Sequence, residues 1–142
     1  MQRCFSMKVV VDANILVSAL LKKGLTRQVW FDLTLDLVAP AFIIREFLKH
    51  KAELRRRYGG SAEEFDGLVS RLLSHVRLVD DAALQLYKSA AMSLSADPDD
   101  WLYLACALSE GAAIWSHDKD FGGQRRVRVV STAELAREVG LL

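Results

Sequence analysis

Residues 8–14 read KVVVDAN: three β-branched residues in a row, an aspartate, and then at once an apolar helical pattern. Val9, Val10 and Val11 favour an extended, pleated backbone, and a run without polar alternation fits a strand covered on both faces. Ile15, Leu16, Ala19 and Leu20 follow immediately at helical spacing. A doubly covered strand feeding straight into a helix opens an α/β unit, and in such sheets ligands bind beyond the carboxyl ends of the strands. Asp12 stands at that end. On this stretch alone two readings of it stay open: a cap for the helix that follows, a role Asp fills readily, or a functional acid.

The alternation continues along the chain. Residues 13–21 are predicted helical, closed by Lys22, Lys23 and Gly24. Thr26 is the expected cap of a second helix running through Val29, Trp30 and Leu33. Residues 36–39 form a short strand that Pro40 closes. Residues 41–58 form a helix with Ile44, Phe47, Leu48 and Leu54 on one side and a strongly basic end, stopped by Gly59 and Gly60. Ser61 and Glu64 have the form of a capping box, and Phe65, Leu68, Leu72 and Leu73 supply the apolar face behind it. A strand over 76–79 precedes a helix over 81–95, marked by Leu84, Tyr87, Ala91 and Leu94. Asp97 at the cap and Pro98 at the first helical position open a helix whose body, WLYLACAL, is apolar almost all round and so packs inside the domain. Strands over 113–116 and 127–130 flank a turn at 122–126. Ser131 with Glu134 makes a second capping box for a last helix to about residue 139. Strands alternating with helices predict an α/β fold with a parallel sheet covered on both faces.

A chain of 142 residues builds one substantial core, so a single domain over residues 7–142 is expected. Met7 can itself serve as a start, which leaves residues 1–6, MQRCFS, as a short extension, too short for a secretory leader. With 51% hydrophobic and 26% charged residues the composition is that of a folded globular protein, neither disordered nor membrane-embedded. No apolar run approaches a bilayer span, so no membrane association is expected. Cys4 and Cys106 do not form a metal spacing, and a reducing cytoplasm is the expected location. The net charge of +1 is silent about a polyanionic partner, because a local patch decides that.

The chemistry lies where carboxylates interrupt apolar structure. Asp12 ends the first strand, Glu46 sits among Phe42, Ile43 and Phe47, Asp97, Asp99 and Asp100 precede the buried helix, and Asp118 follows the fourth strand. Four chain positions can thus converge on one edge of the sheet. Clustered carboxylates repel one another and resist desolvation unless a cation compensates them. Oxygen donors without organised His or Cys point to Mg²⁺ or Mn²⁺ rather than zinc, and such ions serve phosphoryl chemistry. The bland alternatives are specific: Glu46 paired with Lys49 or His50 on the next turn, Asp97 as a cap, Asp99 and Asp100 as favourable charges at a helix start, and Asp118 and Asp120 as loop residues. His117, His50 and His75 read as surface or packing residues.

Taken in order, VDANILVSAL, REF, DPDDWLYLACAL and IWSHDKDF resemble the motifs of PIN-domain nucleases, which include the VapC-type toxins of toxin-antitoxin pairs. The resemblance runs from Met7 to the final helix. It implies a three-layer α/β/α sandwich with a central parallel sheet and a Mg²⁺- or Mn²⁺-dependent phosphodiesterase acting on RNA. By position it makes Asp12, Glu46, Asp100 and Asp118 the catalytic, metal-holding acids. Asp97 and Asp99 are neighbours able to replace or assist Asp100, and Asn14 and Ser116 are supporting residues. Trp101 departs from the pattern, since the family often has a small residue there; its ring either narrows the site or fills the core.

The reading that follows is a metal-dependent endoribonuclease, the toxin of a toxin-antitoxin pair, with an antitoxin protein as partner. Arg45, Lys49 and Arg55, with Lys51, Arg56 and Arg57, are candidates for contacting the RNA backbone, against the plainer reading of a solvated helix face. Val29, Trp30 and Leu33 are the candidate face for a homodimer. The alternative is a PIN-like RNA- or protein-binding module that does not cleave. A phosphatase with a nucleophilic aspartate ranks last, because Asn14 stands where such sites place a second acid.

Overall fold

The computed structural model describes residues 7–95, 97, 100–118 and 121–142; the expected extension at 1–6 lies outside them. β1 (Met7–Val11) is the middle strand of a five-stranded sheet in the order β3-β2-β1-β4-β5, with every neighbouring pair parallel. β2 (Leu35–Pro40) pairs with β1 through Val9 opposite Leu37, and β4 (Ala113–Trp115) through Val11 opposite Trp115. β3 (Val76–Val79) and β5 (Val129–Val130) form the edges. The valine run does what its composition predicts. Val9, Val10 and Val11 are all fully buried, Val9 and Val11 in the core on one face of the sheet and Val10 in the core on the other, as the two-residue period of a strand requires.

The first core is covered by α1 (Ala13–Leu21), α2 (Leu25–Trp30), α3 (Phe42–Tyr58), α4 (Ala62–Ser74) and α7 (Thr132–Glu138). The second is covered by a 3-10 segment (Asp81–Tyr87), α5 (Lys88–Met92) and α6 (Trp101–Glu110). This is the three-layer α/β/α sandwich with a parallel sheet. Six consecutive residues of α6, Leu102 to Ala107, are buried, so its all-round apolar character does reflect an internal helix. Burial also pushes the Cys106 thiol up to about 12, where it behaves as a small hydrophobic side chain. Chain order reverses beside β1: the crossovers to β2 and then β3 run one way, and β4 returns to the other flank. That reversal is where an α/β sheet opens a crevice at its carboxyl edge.

Local departures from the predicted elements have local causes. α2 starts one residue before Thr26, with Gly24 as its cap, and stops at Trp30. Leu33 therefore falls outside it and is 60% exposed. Val29 and Trp30 are wholly buried, Trp30 donating its indole N–H to the Leu72 carbonyl at 2.8 Å, so they belong to the core and cannot form a dimer face. Ser61 accepts from the Glu64 N–H at 3.0 Å, and Gly59 ends α3 at φ +75°, where a glycine is favoured. Only the second predicted capping box, Ser131 with Glu134, has both of its bonds.

The predicted 81–95 helix is a seven-residue 3-10 segment, capped at Asp80 through the Ala82 N–H at 3.0 Å, running into a short α-helix. Asp97 is not the cap of α6; Asp100 immediately precedes that helix, and its N–H donates to the Asp97 carbonyl at 3.2 Å. β5 is shorter than predicted because the Gln124 side chain binds both backbone groups of Val127 at 2.7 Å, taking the place of a neighbouring strand.

Candidate active site

Asp12 follows the last residue of β1 and is 5% exposed. Both readings of it hold. Its Oδ1 accepts from the Ile15 N–H at 2.9 Å and so caps α1, while its Oδ2 accepts a hydrogen bond from the Ser116 hydroxyl at the end of β4. Ser116 Oγ in turn accepts from the Asp118 N–H at 2.9 Å. One buried hydroxyl thereby joins the ends of two adjacent parallel strands and fixes the start of the segment that carries Asp118.

Glu46 comes from the first turns of α3. That helix has no cap of its own at Ala41. Its start is held instead by Asp81, whose Oδ1 accepts from the Phe42 N–H at 3.0 Å and whose Oδ2 pairs with Arg45 at 2.8 Å. Glu46 itself is half-buried and accepts a hydrogen bond from the Tyr103 phenol on α6.

Asp12, Asn14, Glu46, Asp100, Tyr103 and Asp118 line one small cavity of about 60 Å³ at the carboxyl edge of the sheet, space for an ion or a few waters. The structure thus brings together all four acids that the sequence singled out, with both of their proposed supports, Asn14 on the wall and Ser116 behind Asp12. Asp97 is half-buried, its backbone bonded to the Ser95 hydroxyl, and it is not part of the lining. Asp99 lies outside the described residues. Arg45 is bound to Asp81, and Arg45, Lys49 and Arg55 are exposed on α3, outside the cavity. His117 is an exposed residue outside the cavity lining, and its Nε2 lies 3.0 Å from Thr132 Oγ1 at the start of α7. Trp101 does not narrow the site; it packs against the second core with Lys88 over its ring.

Tyr103 is a cavity-lining residue that the sequence reading did not single out. Its signal was present: a polar atom in an otherwise apolar helix, three residues after Asp100 and hence on the same face.

The electrostatics of the pocket follow from burial and like charge. Desolvation raises the Asp12 carboxyl above the ordinary range, the bonds from Ser116 and Ile15 oppose that, and the nearby Asp118 charge raises it further. Burial, with the carboxylates of Glu46, Asp12 and Asp100, drives the Tyr103 phenol far above its usual value, so it stays a hydrogen-bond donor. No basic side chain is among the described residues that line the cavity. An all-oxygen donor set rich in carboxylates fits Mg²⁺ or Mn²⁺. No three His, Cys, Asp or Glu side chains among the described residues are drawn together as a ready-made metal cage; Asp12 and Glu46 are turned toward hydroxyl partners.

The sequence model of the PIN domain matches residues 10–137. The chain belongs to the PIN domain family. Solved structures share the PIN fold with it. VapBC2 from Rickettsia felis, solved with a DNA fragment from its promoter, is 14% identical with a TM-score of 0.66 over 88% of this chain and 98% of that one. A toxin-antitoxin complex from Klebsiella pneumoniae gives 16% identity and a TM-score of 0.63 over 87% and 97%. PAE2754 from Pyrobaculum aerophilum gives 15% and 0.67 over 100% and 95%. No curated relative matches the sequence. At these identities the likeness is one of fold, and the chemistry of this PIN domain has to be argued from its own cavity.

Proposed function

We propose that this PIN domain is a Mg²⁺- or Mn²⁺-dependent endoribonuclease that hydrolyses RNA phosphodiester bonds. The observation that carries the reading is the convergence of Asp12, Glu46, Asp100 and Asp118, from four separate segments, on a single cavity with no basic side chain among the described residues that line it. Those four carboxylates are the residues that would hold the ion, with Asn14 beside them. When bound, the ion supplies positive charge to the phosphodiester oxygens and lowers the pKa of water.

The chain's own contribution is placement. β1 and α1 fix Asp12 from both sides, Ser116 couples it to Asp118, and Asp81 anchors the helix that delivers Glu46. Lys49 and Arg55 stand on exposed turns of α3 beyond Glu46, about 5 and 13 Å along its axis at 1.5 Å per residue, a spacing suited to following an RNA backbone. Arg45, held by Asp81, is less available for that task. The fold shared with VapBC2 and with the Klebsiella toxin-antitoxin complex supports a toxin role with an antitoxin protein as partner.

The test is cleavage of a panel of single-stranded and structured RNAs with Mn²⁺, with EDTA and with Asp12→Asn. Cutting is expected only by the native protein with metal; cutting that persists in Asp12→Asn would overturn the site. The second reading is a PIN module that binds RNA or protein without cutting it. What favours it is that Asp12 and Glu46 are engaged by internal hydroxyls. Calorimetric titration with Mn²⁺ separates the two, since no binding at millimolar metal selects the binding module.

A further inference from the structure

We propose that Tyr103 is a positioning residue for this centre: its hydroxyl, donated to Glu46, aims that carboxylate into the cavity shared with Asp12, Asp100 and Asp118. The inference rests on the nuclease reading in one respect, that these acids are the ligands.

Tyr103 and Glu46 belong to opposite layers of the sandwich. Tyr103 is 3% exposed in the core built on α6, whereas Glu46 is carried by α3, whose Ile43 and Phe47 pack into the core on the other face. Their hydrogen bond therefore spans the carboxyl edge of the sheet directly over the site. A half-buried glutamate on a helix has several rotamers open to it, and Lys49 and His50 on the next turn would draw it outward to solvent. The phenol opposes that from a ring with almost no freedom of its own, since tight packing locks a buried aromatic side chain. It engages Oε1, and Glu46 lines the cavity.

The arrangement repeats what Ser116 does for Asp12: in each pair a buried hydroxyl holds one carboxylate oxygen. Outer partners of this kind set ligand orientation, and their loss typically costs 10- to 100-fold in metal affinity.

Tyr103→Phe keeps the ring and removes only the hydroxyl. Mn²⁺ titration should show an affinity about 10-fold weaker or more, with the thermal midpoint in EDTA nearly unchanged. If Tyr103 acts through Glu46, then adding Tyr103→Phe to Glu46→Gln should cause no further loss, because the two substitutions remove one interaction. Native affinity in Tyr103→Phe, an equal further loss in the Glu46→Gln background, or a large fall of the metal-free midpoint would each overturn the assignment, the last by making the role one of packing. Failure of the nuclease reading looks different: the native protein then binds no Mn²⁺ at all. Binding that Asp12→Asn weakens and Tyr103→Phe leaves intact would remove this inference alone.

Discussion

Replacing Asp12 with Asn should make the metal-free protein more stable and the metal-loaded protein less so. Asn serves as a helix cap about as well as Asp, so the bond to the Ile15 N–H survives. Ser116 can turn its hydroxyl to accept from the new amide. What disappears is a charge buried to 5% exposure and its repulsion with Asp118. Relief of this kind commonly contributes about 0.5–2 kcal/mol, or roughly 2–6 °C for a chain of this length.

Mn²⁺ at a hundred times its Kd should add about 2.7 kcal/mol to the native protein, roughly 8 °C, and far less to the variant. The order of melting temperatures therefore inverts between EDTA and Mn²⁺. The pH dependence follows from the raised carboxyl. A group whose pKa is higher folded than unfolded favours the fold below its unfolded value, near 3.8, and loses that contribution as pH rises through the folded value. The advantage of Asn should thus grow as pH rises through the folded value and vanish on acidification below about 3.8. Scanning calorimetry at several pH values, with and without Mn²⁺, reads all of this. A variant that melts below the native protein in EDTA at pH 7 would refute the argument from buried charge.

Ser116→Ala removes the donor to Asp12 and the acceptor of the Asp118 N–H, and should cost about 1–3 kcal/mol in urea unfolding together with weaker Mn²⁺ binding. Trp30→Ala empties a fully buried site and breaks the bond to the Leu72 carbonyl; a loss of about 3–5 kcal/mol in the same assay is expected. Glu110 binds Arg77 and Lys8 at the opposite edge of the sheet, and Arg77 above all holds its carboxyl below the ordinary range. Its contribution is present above the usual glutamate pKa and fades as pH falls through the lowered value. With Arg77 half-exposed, Glu110→Gln should cost under about 1 kcal/mol at pH 7 and less in high salt, by denaturant titration.

Much of this architecture was legible because local preference and burial agree. The triple valine, the glycine closing α3 and the Ser131 box each have one physical solution, and each takes it. The four acids were legible because a carboxylate inside an apolar pattern is conspicuous. Less visible were relations set by tertiary contact. That Asp81 caps a helix beginning 39 residues earlier, or that a glutamine side chain shortens β5, leaves no periodic trace. Val29 and Trp30 looked available for a partner because an apolar helix face reads the same whether it meets a second chain or its own core. Tyr103 was hidden for a related reason: inside an apolar run its ring reads as core, which it is, and the hydroxyl matters only once α3 is seen across from it.

The bond between Ser116 and Asp12 joins residues 104 positions apart. A chain emerging from the ribosome at about 5–20 residues per second exposes Asp12 and Glu46 seconds before it supplies β4, the strand that pairs directly with β1. Until β4 docks, Asp12 lacks its hydroxyl partner and the cavity lacks a wall. If the centre cuts RNA, the order of synthesis keeps it inert beside the very message being read, and activity begins only once the last parallel strands are in place.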